Sequence, residues 1–344
     1  MSNWKNILAS SIHTAEELNR HHPLGVHQVN RVIERYPMRI NPYYLGLIQK
    51  WNDPVWKQAV PDPHELDSGG LCDDPLSENH QSPVPNLVHR YPDRVVFIVS
   101  NRCAVYCRHC MRKRYVGQPG NVTGETIDRG IDYIRSRPEV RDVILSGGDP
   151  LLLTDNTLEQ LLRRLRAISH VEIIRIHSRT PCTLPMRITA PLVGILRRFH
   201  PLYVNTQFNH PDEISPEAAG ACGRLADAGI PLGCQTVLLK GINDDAAVMK
   251  RLMQRLLKIR VKPYYIHHAD PVEGTGHLRT SIQTGLDIMG ALRGHMSGPG
   301  VPQYMLDLPD GGGKIPLLPE YVREVKKGLL IVRNFEGKVF EYKL

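Results

Sequence analysis

Three cysteines stand within eight residues of one another, in the segment NRCAVYCRHCMRKRY. Cys103, Cys107 and Cys110 have the spacing C-x3-C-x2-C, and thiolates are soft ligands that suit iron–sulfur clusters. Three thiolates on one short loop can hold three irons of a four-iron cluster and leave the fourth iron open for chemistry. A structural zinc site normally needs four protein ligands, and His109 would crowd its neighbours as the fourth. The spacing therefore predicts an iron–sulfur cluster.

A lysine that follows three glycines is the second feature that could do chemistry. The tail contains the segment DLPDGGGK, residues 307–314. It lacks the Ser or Thr that follows the lysine of a phosphate-binding P-loop. A lysine on a flexible loop can instead form a Schiff base with a carbonyl compound. Lys314 is therefore a candidate for covalent chemistry, and the alternative is a solvated lysine in a turn.

The composition excludes several classes of protein. The chain has 344 residues, of which 41% are hydrophobic and 23% charged, as is ordinary for a globular protein. It has no apolar run of about 18 residues and no secretory signal, so we expect a cytoplasmic protein. Seven cysteines in a long chain argue against a disulfide framework. The net charge of +8 fits anionic ligands better than nucleic acid, because the densest basic stretch, 108–114, overlaps the cysteine loop.

The elements that must position these residues follow a regular pattern. From Arg94 onward, β-branched runs alternate with amphipathic helical patterns. Strands are predicted at 94–100, 141–145, 171–177, 202–208, 231–239 and 261–267, and helices at 125–137, 156–169, 190–200, 216–228 and 245–259. A repeat of roughly 30 residues is that of a βα unit, and strands this apolar suit a parallel sheet covered by helices. The pattern fits a doubly wound sheet or an open barrel, and in both the functional residues gather at the carboxyl ends of strands.

The two ends of the chain follow other patterns. The first 88 residues show helical periodicity at 15–21 and 25–35, followed by a stretch rich in Pro and Asp at 52–85. The tail ends in a predicted hairpin, 329–334 and 338–342, which turns at Glu336 and Gly337. We therefore divide the chain into an N-terminal wrapping segment at 1–88, a β/α unit at 89–300 and a C-terminal tail at 301–344.

The cysteine loop resembles that of the radical S-adenosylmethionine superfamily. The segment SGGD, residues 146–149, stands after the second predicted strand, where relatives bind the amino group of that cofactor. The resemblance narrows to the lysine 2,3-aminomutase family at HRYPDR (89–94), PYYIHHAD (263–270), LRGHMSG (292–298), DLPDGGGKIPL (307–317) and RNFEGKV (333–339). This resemblance implies an α/β fold, an open six-stranded parallel β/α barrel, with the tail placing Lys314 over its mouth.

The resemblance also implies roles for individual residues. Cys103, Cys107 and Cys110 would carry a [4Fe-4S] cluster, and Lys314 would bind pyridoxal phosphate covalently. The other cofactor contacts that it implies are Arg90, Tyr91, Arg94, Ser146, Gly147, Gly148, Asp149, Gln207 and Gln235. Arg112 would bind the substrate carboxylate, and Asp270 and Asp307 would bind the ε-ammonium group of lysine. Gln207 stands where relatives often carry histidine.

The activity implied by the resemblance is the isomerisation of L-lysine to β-lysine by radical migration of the amino group. S-adenosylmethionine, the cluster and pyridoxal phosphate would be the cofactors, and flavodoxin or ferredoxin the electron donor. No zinc is expected, because the turn at 241–246 lacks the cysteine of zinc-bearing relatives and their C-terminal extension is missing. The oligomeric state stays open, with a homodimer as one option. Three alternatives remain: a relative that makes (R)-β-lysine for elongation factor P, a non-catalytic iron–sulfur protein that binds nucleic acid, and a radical enzyme without pyridoxal phosphate.

Overall fold

The computed structural model describes residues 4–21, 26–67, 69–118 and 122–344. A sheet of nine strands forms its centre, and the strands lie side by side in the order in which they occur along the chain. They are β1 (Leu87–Tyr91), β2 (Arg94–Ser100), β3 (Asp142–Gly147), β4 (Ile173–His177), β5 (Leu202–Thr206), β6 (Leu232–Leu238), β7 (Lys262–His268), β8 (Gln303–Leu308) and β9 (Gly313–Leu317).

Strands β2 to β8 pair in parallel, whereas β1 and β9 pair antiparallel to their neighbours at the two edges. The prediction of six strands was wrong in number: the predicted strands correspond to β2 to β7, and β1, β8 and β9 extend the sheet to nine. Strand β8 was missed because it lies in the segment predicted as the tail. The edge strands β1 and β9 were missed because each pairs with its neighbour through a hairpin, which does not follow the βα repeat. The sheet curves into an open barrel, in which the phenol of Tyr91 on β1 accepts a hydrogen bond from the backbone N–H of Lys314 on β9 at 2.8 Å.

Helices connect the parallel strands and cover the outside of the barrel. The helices are α1 (Trp4–Ala9), α2 (Ala15–Asn19), α3 (Val26–Arg35), α4 (Pro42–Leu45), α5 (Trp56–Ala59), α6 (Gly124–Arg135), α7 (Asp155–Arg166), α8 (Thr180–Thr183), α9 (Ala190–Leu196), α10 (Pro216–Asp227), α11 (Ala246–Lys258) and α12 (Ile282–Leu292). The five helices predicted between the strands are confirmed as α6, α7, α9, α10 and α11. In the described part of the chain, each helix is too short or too polar to cross a membrane.

Side chains along the parallel strands alternate between the hydrophobic core and the interior of the barrel. In β4, Ile174 and Ile176 are fully buried in the core, which they share with the leucines of α7. Arg175 and His177, the alternate residues, line the barrel interior. This is the period of two that a strand imposes. The barrel therefore collects polar side chains inside, where the candidate residues lie.

Both ends of the chain add further structure to the barrel. The predicted helices near the N-terminus correspond to α2 and α3, although Gly25 lies outside the described residues. The tail contributes β8 and β9 and then forms a separate antiparallel sheet of β10 (Val322–Lys326), β11 (Leu329–Arg333) and β12 (Val339–Lys343). The predicted hairpin is confirmed as β11 and β12, and Gly337 in its turn has a φ of 82°.

Candidate active site

A cavity of about 960 Å³ occupies the interior of the barrel. It reaches from the cysteine loop, beyond the carboxyl end of β2, towards Lys262 at the start of β7. Every candidate residue from the sequence lines it: Arg90, Tyr91, Arg94, Cys103, Cys107, Cys110, Arg112, Ser146, Gly147, Gly148, Asp149, Gln207, Gln235, Asp270, Asp307 and Lys314. The fold therefore brings together residues that lie more than 200 positions apart in the chain.

The cysteine loop presents three free thiols to the cavity. Burial raises the pKa of Cys103 well above its usual range and that of Cys110 to about 11. Metal binding would therefore release protons from these thiols. Within the described residues, no three His, Cys, Asp or Glu side chains converge as ligands of one metal ion. A cluster with one thiolate on each of three irons does not require such convergence.

The cysteine loop is fixed to the N-terminal segment by buried ion pairs. Glu65 is fully buried, and its Oε2 lies 2.5 Å from Nη2 of Arg108 and 2.6 Å from Nζ of Lys113. Burial acts to raise the pKa of Glu65, but the charges of these two cations outweigh it and lower that pKa. Arg108 also donates to the backbone carbonyls of Tyr36 and Pro37. The loop is thus held from outside before any ligand binds.

The SGGD turn after β3 packs tightly against the start of the cysteine loop. A Cβ atom on Gly148 would lie 2.6 Å from the backbone of Arg102, so the turn requires glycine there. The carboxylate of Asp149 accepts hydrogen bonds from Oγ of Ser178 at 2.6 Å and from the backbone N–H of Thr180 at 2.9 Å. Asp149 therefore joins the ends of β3 and β4, in addition to lining the cavity.

Arg112 is held by a carboxylate that the sequence did not single out. Its Nε and Nη2 donate to the two oxygens of Glu78 at 2.9 and 2.7 Å, and its Nη1 donates to Oγ of Ser146 at 3.2 Å. Burial acts to raise the pKa of Glu78, but Arg112, followed by Arg114 and Arg90, outweighs it and lowers that pKa. Glu78 comes from the stretch rich in Pro and Asp, where no local pattern marks one acid as special.

The hairpin of β8 and β9 places Lys314 directly opposite Asp307. The Nζ atom of Lys314 donates to Oδ1 of Asp307 at 2.6 Å, and Nη1 of Arg90 lies 3.3 Å from the same oxygen. Asp270, beyond the end of β7, makes no ion pair with any described residue. Burial, followed by the charge of Asp307, raises the pKa of Asp270 to about 7. Two acids and the lysine thus share one corner of the cavity.

The remaining predicted cofactor residues have mixed surroundings. Arg94 stacks on the ring of Tyr91 with its Cζ 3.8 Å from the ring centre, and also pairs with Asp93. Arg90 is engaged by Gln81 and Asp307, so neither arginine is free of protein partners. The side-chain nitrogen of Gln207 lies 3.0 Å from Nε2 of His109. Gln235 on β6 lines the cavity.

Several cavity residues were not identified from the sequence. Arg179 donates to Sγ of Cys107, and His177 and His267 stand at or near the ends of β4 and β7. Burial lowers the pKa of His177 to about 3 and that of His267 to about 4, so both imidazoles are neutral. Their position at strand ends of a βα repeat is the signal that could have identified the histidines.

Three buried polar atoms on the cavity wall have no hydrogen-bond partner among the described residues. They are Nδ1 of His109, Nε of Arg179 and Oγ1 of Thr206. Buried polar groups are normally hydrogen-bonded in native proteins. Their position beside the cysteine loop fits a polar ligand at this end of the cavity.

Comparison with known proteins agrees with this geometry. Residues 97–252 match the family model of the radical SAM superfamily, and residues 289–344 match that of lysine-2,3-aminomutase. The L-lysine 2,3-aminomutase of Clostridium subterminale is 49% identical over 348 residues, which cover 99% of this chain and 84% of that protein.

Two further relatives extend the comparison. The L-lysine 2,3-aminomutase of Methanococcus maripaludis is 48% identical, over 92% of this chain and 74% of that protein. The glutamate 2,3-aminomutase of Clostridioides difficile is 45% identical, over 91% of this chain and 75% of that protein. The chain therefore belongs to the lysine 2,3-aminomutase family, within the radical SAM superfamily.

Proposed function

We propose that this protein is an L-lysine 2,3-aminomutase, which moves the amino group of L-lysine from carbon 2 to carbon 3 and a hydrogen atom the other way. The observation that carries the proposal is the corner of the cavity formed by Asp270, Asp307 and Lys314. Asp270 is buried there and forms no ion pair with any described residue, whereas the neighbouring Asp307 pairs with Lys314. The ε-ammonium group of lysine is the cation that such a pair would accept.

The residues of this chain fit the cofactors of the family. Cys103, Cys107 and Cys110 would hold three irons of a [4Fe-4S] cluster, and the SGGD turn with the unpartnered donors beside it would contact S-adenosylmethionine. Lys314 would hold pyridoxal phosphate, with Arg90, Tyr91 and Arg94 nearby. When bound, the cluster and S-adenosylmethionine supply radical chemistry at a carbon–hydrogen bond, and pyridoxal phosphate supplies an electrophilic carbonyl and a conjugated ring.

The protein itself contributes position and charge. Glu78 takes two of the five N–H groups of Arg112 and Ser146 takes one, which leaves two for the substrate carboxylate. Asp270 and Asp307 would bind the other end of lysine, and the ion would relieve the repulsion between the two carboxylates. A substrate with a carboxylate side chain, such as glutamate, would add a third negative charge and be rejected. The protein thus selects its substrate by charge at both ends of one extended molecule.

The electron donor and the cellular compartment follow from the chemistry of the cluster. The cluster needs a one-electron donor, for which flavodoxin or ferredoxin has the required chemistry. Free thiols beside such a cluster suit a reducing compartment, and we therefore place the protein in the cytoplasm.

The product formed from L-lysine tests the proposal. Protein reconstituted anaerobically with iron, sulfide, S-adenosylmethionine, pyridoxal phosphate and a reductant should convert L-lysine to β-lysine, detected by NMR, and leave L-glutamate unchanged. Turnover of glutamate in preference to lysine would contradict the assignment of the two acids. The chirality of β-lysine separates the remaining alternative, because the (R) product would favour a role in modifying elongation factor P.

A further inference from the structure

A buried arginine outside the cysteine loop contacts one of the three cysteine sulfurs. Arg179 follows β4 and is 8% exposed. Its Nη1 atom donates a hydrogen bond to Sγ of Cys107, and the two atoms lie 2.7 Å apart. Both residues line the cavity. This contact crosses 72 positions of the chain, so the fold and not the loop itself provides it.

The guanidinium group of Arg179 is fixed by partners from other segments. Its Nη2 atom lies 2.5 Å from Oε1 of Glu213, 2.5 Å from Oε1 of Gln58 and 3.2 Å from the phenol of Tyr44. The Nη1 atom can therefore donate to the sulfur without reorganisation, because the Nη2 atom is already fixed by these partners.

The acid that balances this arginine is itself fully buried and held in place. Glu213 accepts hydrogen bonds from the phenol of Tyr44 at 2.7 Å and from the backbone N–H groups of Asn209 and His210 at 2.6 and 2.8 Å. Burying an ion pair carries a large desolvation penalty, so a buried pair is by itself weak evidence that it stabilises the fold. Its position against a cysteine ligand offers another reason for it.

We propose that Arg179 is a positioning residue that orients the Cys107 thiolate and makes the reduction potential of the cluster less negative. The inference rests on the proposed function, since it requires a cluster on these cysteines. Hydrogen bonds to the sulfurs and nearby positive charge stabilise the reduced form of a cluster, which carries the extra electron. Arg179 supplies both to Cys107. The Nε atom of the same side chain has no hydrogen-bond partner among the described residues, which leaves a further donor for a ligand at this place.

A second buried arginine provides a matched control. Arg187 is fully buried, and it donates to the backbone carbonyls of Leu151 and Leu153 and pairs with Asp155 at 2.7 Å. Arg187 is not among the described residues that line the cavity. Arg187→Lys therefore changes a buried arginine in the same way as Arg179→Lys, but away from the cysteines.

The test is the midpoint potential of the reconstituted cluster, measured by an anaerobic redox titration followed by electron paramagnetic resonance. Arg179→Lys keeps the charge and loses the planar geometry, and it should shift the potential to more negative values. Arg179→Gln combined with Glu213→Gln removes one charge of each sign, so the net charge stays the same. The shift of the midpoint potential in this double variant reports the lost hydrogen bond. The second substitution is included so that no unpaired acid is left buried in the fold. The cluster of Arg187→Lys should have the same midpoint potential as that of the wild-type protein.

The possible results separate the inference from the proposed function. Wild-type iron content with a more negative potential in both Arg179 variants, and not in Arg187→Lys, supports the inference. Arg179 variants that hold full iron and titrate at the wild-type potential would overturn it while leaving the cluster in place. An equal shift in Arg187→Lys would also overturn it. Wild-type protein that binds no cluster would refute the cluster assignment itself, and the inference with it.

Discussion

Two regions of the cavity wall are built differently. At the cysteine loop, buried acids are matched with buried cations: Glu65 with Arg108 and Lys113, and Glu213 with Arg179. At the hairpin of β8 and β9, Lys314 is 30% exposed and pairs with Asp307, whereas the neighbouring acid Asp270 forms no ion pair with any described residue. The cysteine loop is therefore held by ion pairs within the protein, whereas the region around the hairpin contains an acid that forms no ion pair with any described residue.

Under the proposed function, this difference separates residues that hold the site from residues that would bind the substrate. A scaffold must hold its geometry through the reaction, so its charges are satisfied inside the protein. A site that selects a cation must leave a negative group for it. Substitutions at the cysteine loop should therefore change cluster content and stability, and substitutions at the hairpin should change substrate use.

The largest effect is expected at the cysteine loop. Cys107→Ala should abolish turnover, because a four-iron cluster loses one of its three thiolates. Iron analysis of reconstituted protein should find about four irons per chain in the wild type and far fewer in the variant. Cys222→Ala, a buried cysteine of α10 away from the cavity, is the control and should keep the wild-type iron content. Full iron and activity in Cys107→Ala would remove the basis for the cluster.

Breaking the scaffold without touching a cysteine should cost stability. Glu65→Gln leaves two buried cations without their acid, which should lower the free energy of unfolding by about 3–5 kcal/mol. Urea denaturation of the cofactor-free protein measures this change. Glu172→Gln breaks the exposed pair with Arg141 and should lower the free energy of unfolding far less than Glu65→Gln does, because water screens exposed charges. Equal losses in both variants would show that the buried ion pairs do not hold the loop.

At the hairpin, the expected effect is on catalysis. Asp307→Asn should reduce kcat/KM for L-lysine by an amount equivalent to about 2–5 kcal/mol, the usual range for a broken buried charge pair, while iron content stays unchanged. Asp310→Asn is a matched control on the same hairpin, because its exposed side chain lies outside the cavity and asparagine tolerates its φ of 52°. Wild-type kcat/KM in Asp307→Asn would refute the role of this acid.

The unpaired acid should also make stability depend on pH. The pKa of Asp270 is raised to about 7 in the folded protein from an ordinary value of 3.8. Below about pH 4 the carboxyl group is protonated in both the folded and the unfolded protein, and its contribution to stability is fully present. As the pH rises to about 7, only the unfolded protein loses the proton, and the free energy of unfolding falls by up to about 4 kcal/mol.

Unfolding of the cofactor-free protein at pH 5 and pH 8 measures this contribution. Asp270→Asn has no such group, so its stability should fall less than that of the wild type between these two pH values. Parallel pH profiles for the two proteins would contradict the prediction.

The sequence could predict which groups are candidates for chemistry, and the structure places them in one cavity, but it could not predict the groups that hold them. Cys103, Cys107, Cys110 and Lys314 stand in local motifs whose spacing is itself the signal. Glu78, whose partner is 34 positions away, lies in irregular chain and has no such signal.

Contacts between distant segments explain the other omissions. Arg179 meets Cys107 because β4 lies two places from β2 in the sheet, and no local periodicity encodes that contact. The strand count failed for a related reason, since the edge strands β1 and β9 pair through hairpins and not through the βα repeat.

The identity of the lysine that binds pyridoxal phosphate tests the central claim most directly. Borohydride treatment of the cofactor-loaded protein should fix the cofactor covalently, and peptide mapping should find the label on Lys314. Lys262 also lines the cavity and serves as the internal control, since it stands at the opposite end from the cysteine loop. A label on Lys314 alone supports a cofactor held beside Asp270 and Asp307, and a label on Lys262 would contradict it.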